Sequence, residues 1–186
     1  MTILIVIVVI LVVLGLLAIG TYNRLVALRQ NTNETFADID VQLKQRLDLV
    51  PNLVETVKGY AAHERGTLDE VTQARAAAAS AGTVDSKIAA ENALSASLGR
   101  LMAVAEAYPD LKANANFINL QSQLSDIENK LAAARRYFNN AVREFNASIQ
   151  AFPAMLFAAA MGFQPREFFD LGADRAAAAT APQVKF

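Results

Sequence analysis

Residues 3–19 (ILIVIVVILVVLGLLAI) carry no charge and are interrupted only by Gly15, and no proline follows before Pro51. At about 1.5 Å per residue such a run makes roughly 25 Å of helix, and the Gly-Thr-Tyr shoulder at 20–22 brings it near the thickness of a bilayer core. A cleaved signal peptide is the competing reading, because Ala18-Ile19-Gly20 has the small-x-small form of a cleavage site. The missing positive n-region and an apolar stretch longer than the usual h-region favour an uncleaved anchor. The run holds no GxxxG, the motif that lets two membrane helices approach closely. Arg24 and Arg29 follow the span, so the positive-inside rule predicts an outside N-terminus and a cytoplasmic remainder.

Beyond the span the apolar residues keep helical spacing. Leu25, Leu28, Thr32, Phe36, Ile39, Leu43, Leu47 and Val50 recur every three or four residues, so the membrane helix is expected to run straight into a soluble amphipathic one. Pro51 then predicts a turn over 48–52. A second helix follows with Val54, Val57, Ala61, Leu68 and Val71 on one face, stopping at Gly82. A third begins near Asp85 and carries Leu94, Leu98, Leu101, Ala105 and Tyr108 as far as Pro109. The fourth shows Phe117, Leu120, Leu124, Ile127, Leu131, Ala134, Phe138, Ala141, Phe145 and Phe152, ending at Pro153. No useful period-2 pattern appears. The expected fold is all-α: a transmembrane helix continuous with an elongated antiparallel, up-down-up-down four-helix bundle. A short apolar C-terminal helix and an extended tail complete it. The expected limits are 1–22 for the anchor, 23–152 for the bundle, 153–171 for an apolar segment near the membrane and 172–186 for an alanine-rich tail.

Chemistry is scarce. A formal charge of −1 gives no basic field for nucleic acid. The chain has no cysteine, which removes disulfides, thiolate metal sites and thiol nucleophiles. Its one histidine, His63, sits in HERGT, where a zincin motif would need a second histidine four residues on, and residue 60 is Tyr rather than the Glu of a di-iron Glu-x-x-His pair. His63 therefore reads as a polar residue on a helix surface, and no catalytic, metal or cofactor residue is assigned. Asp40 and Lys44 have the favourable acid-before-base spacing on one helix. Arg46, Asp48, Pro51, Asn52 and Glu55 cluster at the predicted turn and are candidates for a docking surface at the bundle tip. Phe157, Met161, Phe163, Phe168 and Phe169, with Arg166 towards the headgroups, are candidates for the membrane interface or a subunit contact, because the fourth helix returns to the bilayer.

The stretches YNRLVALRQ, DIDVQLKQRLDLVPNLVETVKGYAAHE, AYPDLKAN, NFINLQSQL, IENKLAAARRYFNNAVREFNASIQAFP and GFQPREFF occur in this order from Tyr22 to Phe169, and together they resemble the LemA family. The closing PQVKF is also similar to family members. The resemblance implies an N-terminal membrane helix followed by a long helical bundle, in a bacterial membrane protein, and implies no enzymatic activity. It further implies an accessory role beside membrane zinc metallopeptidases in envelope quality control, or in shaping membrane compartments. Two functions are thus expected to compete. One is a non-catalytic membrane scaffold or adaptor, homo-oligomeric, with the lipid bilayer and another membrane protein as partners. The alternative is a metal-binding protein or enzyme built on carboxylates alone, such as Asp38, Asp40, Glu64, Asp69 and Glu70.

Overall fold

The computed structural model describes residues 1–169. All regular structure among them is helical: α1 (Thr2–Lys58), α2 (Arg65–Ser80), α3 (Val84–Glu106), the single turn α4 (Pro109–Lys112) and α5 (Ala115–Gln150), then a 3₁₀ turn at Ala154–Leu156. The tail expected at 172–186, and the end of the preceding segment from 170, lie outside the described residues. The expected rod is present, with no coil break at Gly20, where helix costs only about 1 kcal/mol. Threonines that would weaken the rod return their hydroxyls to the helix itself: Thr21 donates to the Leu17 carbonyl, Thr35 to that of Asn31, and the fully buried Thr32 to that of Arg29 at 2.7 Å.

The turn expected at Pro51 does not exist; α1 passes through it to Lys58. A proline in a helix lacks the N–H that would bond the carbonyl four residues back, here that of Leu47. Arg75 of α2 supplies the missing donor, its Nε lying 2.8 Å from the Leu47 oxygen. The interruption is repaired from 28 residues away along the chain. Arg75→Met is therefore expected to cost about 1 kcal/mol, the low end of the penalty for a partly buried acceptor left unmade. In a Pro51→Ala background, where the restored backbone N–H bonds the Leu47 carbonyl again, the same change costs markedly less. Chemical unfolding of the four proteins in this double-mutant cycle measures the coupling, and strictly additive effects would refute the repair.

The described chain forms two compact units. In the unit built from residues 39–133, Leu49, Val50, Leu53 and Val57 of α1 share one core with Leu68 and Val71 of α2, Leu94, Leu98 and Leu101 of α3, and Leu124 and Ile127 of α5. Cross-contacts give the helix directions. Asp40 meets Lys87, Arg46 meets Glu91, and Glu64, just beyond α1, meets Tyr108, so α1 and α3 run the same way. Arg75 meets Leu47 while Glu70 meets Arg100, so α2 runs against both. Glu128 meets Arg46 whereas Asn114 meets Tyr60, which also reverses α5 relative to α1. Within this unit the order is up-down-up-down. Its connections have local causes: Thr83 and Ser86 cap α3 reciprocally, and the Asn114 side chain accepts from the Asn116 and Phe117 N–H groups to start α5.

In the other unit, from residues 1–38 and 134–168, α1 and α5 run antiparallel, with Phe36 against Phe138 at 5.4 Å and Leu25 clustered with Phe145 and Ile149. Leu98, Leu124, Leu131 and Phe138 are all buried, as their stripes predict. Phe152 departs from its stripe. Helix α5 ends at Gln150, and Phe152 beyond it is exposed.

Candidate functional site

Every large side chain from Ile3 to Ile19 faces outward, and the span's 18-residue window is 0% buried, so α1 carries a sheath of exposed Ile, Val and Leu. At roughly 1.5–3 kcal/mol per side chain, leaving that sheath in water costs tens of kcal/mol. Helix α1 is long and apolar enough to cross a membrane.

At the end of this sheath the chain after α5 folds back as a cap. The expected short C-terminal helix is instead the 3₁₀ turn followed by further turns to Gly162, whose φ of +78° no side-chain-bearing residue adopts cheaply. That reversal delivers Phe163 into a buried seat. Its ring meets Tyr22 edge-on at 5.7 Å and Phe145 at 6.4 Å, and the Arg29 guanidinium lies 5.1 Å from its centroid. Asn146 then pins the chain, donating to the Arg166 carbonyl at 2.8 Å and accepting from its N–H at 2.9 Å. Burial, and secondly the Arg29 charge, push the Arg166 guanidinium below the ordinary arginine range. Of the residues predicted for the interface or a subunit contact, Phe163 and Phe169 are buried and so unavailable to either; Phe157 is half-buried, and Met161 and Phe168 are exposed. Of the arginines that set the topology expectation, Arg24 is exposed while Arg29 is engaged by Phe163.

Sequence reasoning missed the outward-facing residues of this reversal: Phe152, Met155 and Leu156 are 78%, 60% and 71% exposed. Pro153, which ends the helical run, was the available signal that the stripe no longer governs which side chains turn inward. Beneath them Ala154 and Ala158 pack into the cluster of Leu25, Phe145, Ile149 and Phe163. An open groove of about 520 Å³ is lined by Leu17, Gly20, Thr21 and Arg24 of α1, by Glu144 and Ser148 of α5, and by Phe152, Pro153 and Ala154 of the reversal.

The second candidate region lies in the 39–133 unit. Arg46, expected at an exposed turn, is buried in mid-helix. Its Nη1 donates to Glu91 Oε2 at 2.9 Å and to Ser95 Oγ at 3.0 Å, and its Nη2 to Glu128 Oε1 at 2.9 Å. Arg46 and Glu91 are almost fully enclosed, while the Glu128 side chain is 52% exposed. A signal existed: Ile39, Leu43, Arg46, Val50, Leu53 and Val57 are all buried at 4, 3, 4, 3, 4 spacing, which puts the arginine inside the stripe.

A model of the LemA family matches residues 35–186. The chain belongs to the LemA family. Among curated relatives it is 24% identical to magnetosome protein MamQ of Magnetospirillum gryphiswaldense and to MamQ 1 of Paramagnetospirillum magneticum, in each case over 80% of this chain and 64% of the relative. It is 26% identical to protein LemA of Metamycoplasma hominis, over 72% of this chain and 62% of that protein. The chain thus spans a little under two thirds of the length of these relatives.

In this LemA-family chain the other predicted distal residues lie along α1 rather than at a tip. Asp48 pairs with Lys44 at 3.2 Å and Glu55 with Lys58 at 3.4 Å, both in water, and Asn52 is exposed on the same helix. Asp40 pairs across to Lys87 of α3 and not with Lys44, because the interhelical partner comes closer. The real turn covers 59–64, and His63 sits exposed in it rather than on a helix. Beside it Tyr108 donates to Glu64 Oε1 at 3.2 Å and Asn114 to the Tyr60 hydroxyl at 2.9 Å. Desolvation, then the hydrogen bond and charge of Glu64, push the Tyr108 hydroxyl above the usual phenol range. Three of the five carboxylates proposed for a metal are engaged separately, Asp40 with Lys87, Glu64 with Tyr108 and Glu70 with Arg100. Among the described residues no group of three His, Asp or Glu side chains converges on a point that could hold an ion.

Proposed function

We propose that this LemA-family protein is a non-catalytic, membrane-anchored scaffold or adaptor. It assembles with its own copies and binds or regulates another membrane protein, with a membrane metallopeptidase as the class of partner. The observation that supports this reading is the continuity of α1: one unbroken helix carries the exposed apolar span and then contributes the buried stripe around which the 39–133 core is built. The same helix thus serves both the anchor and the core of the helical unit. Arg24 beyond the span favours an outside N-terminus and a cytoplasmic helical unit.

The test is to extract the full-length protein in mild detergent and measure mass and stoichiometry together. A defined assembly above the monomer mass, with a membrane protein present in fixed ratio, is the expected result. A monodisperse monomer without a companion would end the scaffold reading. Calorimetric titration with divalent ions tests the rival: the scaffold reading expects no stoichiometric heat.

A further inference from the structure

We infer that the reversal after α5 is a second membrane contact, with Phe152, Met155 and Leu156 seated in the interfacial layer of the bilayer beside the point where α1 leaves it. The inference rests on the anchor reading above and adds residues and a depth to it.

Position comes first. The groove brings Phe152, Pro153 and Ala154 together with Leu17, Gly20, Thr21 and Arg24, so the reversal lies level with the last turns of the apolar run and the first charge after it. A bilayer core needs about 20 helical residues, so a span beginning at Ile3 puts the boundary of the hydrocarbon near Tyr22. Phe152 therefore sits at lipid depth, and the exposed Met155 and Leu156 follow it in the same 3₁₀ reversal. Phe152 and the outward-facing Leu17 line the same groove.

Backbone chemistry agrees with lipid as the occupant. A segment lying in that layer costs less to desolvate when its N–H groups bond within the chain. Here Met155 N–H bonds the Ala151 carbonyl at 2.9 Å, Leu156 that of Pro153, Phe157 and Ala158 that of Ala154, Met161 that of Phe157, and Gly162 that of Ala159, while Pro153 has no N–H to satisfy. Charge agrees as well. Residues 151–165 contain no charged side chain, and the first to follow is Arg166, just as Arg24 is the first after the span. Each chain pass is followed by a cation on the headgroup side, and the acid of the groove wall, Glu144, lines the groove together with Arg24. Phe163 plays no part in the contact, because its ring is already enclosed by Tyr22, Phe145 and Arg29.

The chain has no native cysteine, so single labels are clean. Full-length Met155→Cys, Leu156→Cys, Leu11→Cys and Tyr60→Cys proteins, each carrying an environment-sensitive fluorophore, would be reconstituted into phosphatidylcholine–phosphatidylglycerol vesicles. They would then be exposed to brominated acyl chains or to aqueous iodide. All four sites are exposed, and far-UV circular dichroism checks that helicity is kept. The labels at 155 and 156 are expected to lose fluorescence to brominated lipid, as the label at 11 does, while the label at 60 responds to iodide alone. If 11 is quenched by lipid but 155 and 156 respond only to iodide, the second contact is wrong and the anchor stands. Shielding of 155 and 156 from both quenchers would assign the patch to a protein, a second copy included, and equally overturn the inference. Failure of lipid quenching at 11 would remove the anchor and this contact together.

Discussion

Arg46→Met is expected to destabilise the protein by about 3–5 kcal/mol, because it removes the guanidinium that bonds the enclosed Glu91 carboxylate at 2.9 Å. Chemical unfolding of the full-length protein in detergent, followed by circular dichroism, measures it. The double variant Arg46→Met, Glu91→Leu is expected to recover most of that loss. It removes both enclosed charges, and the third member, Glu128, is half-exposed and returns to water. Replacing a buried ion pair by apolar residues of similar size is often neutral or stabilising, so the pair's value here lies in specificity. It pins α1, α3 and α5 at one level, where a purely apolar seam would tolerate a slip of one turn. A loss below about 1 kcal/mol for the single variant would contradict the enclosed geometry.

Phe163→Ala is expected to cost about 3–5 kcal/mol, the usual effect of a large cavity together with lost aromatic contacts. Phe152→Ala, eleven positions earlier and 78% exposed, is expected to change the unfolding free energy by no more than about 0.5 kcal/mol. Both residues lie in the same apolar stretch, so the pair separates a packing role from a surface one. Equal costs at the two positions would mean that the reversal packs differently. Gly162 is part of the same device: space around it is open, and only its left-handed backbone conformation restricts what can replace it.

Much of this architecture was legible in local order along the chain. The apolar run marks the outward-facing span of α1, and the stripe after it marks the inward-facing positions through Val50, since a helix converts spacing of three and four directly into one face. The α3 stripe, the end of α3 before Pro109 and the α5 stripe through Phe145 follow for the same reason. The six family stretches were likewise readable in order, and the family follows from them.

Three features depended on partners distant in sequence, and a fourth on a backbone reversal beyond the last helix. Pro51 looks like a helix end because a proline removes a donor; only the packing of α2 brings Arg75 to the Leu47 carbonyl and lets α1 continue. Arg46 looks like a surface residue because isolated charges shun the interior; only the alignment of α3 and α5 places Glu91, Ser95 and Glu128 around it. Asp40 has Lys44 at an ideal helical spacing and still pairs with Lys87, because the facing helix offers the nearer cation. Phe152 and Phe163 are both aromatic residues in an uncharged stretch; one faces out and the other in because the backbone reverses at Ala154–Leu156 and Gly162, after helical periodicity has ended. Periodicity is a property of neighbours three and four residues apart, so it determines which faces of the helices are apolar. Which donor, counter-charge or ring arrives at each face is set by chain segments tens of residues away, and that pairing exists only once the helices have packed.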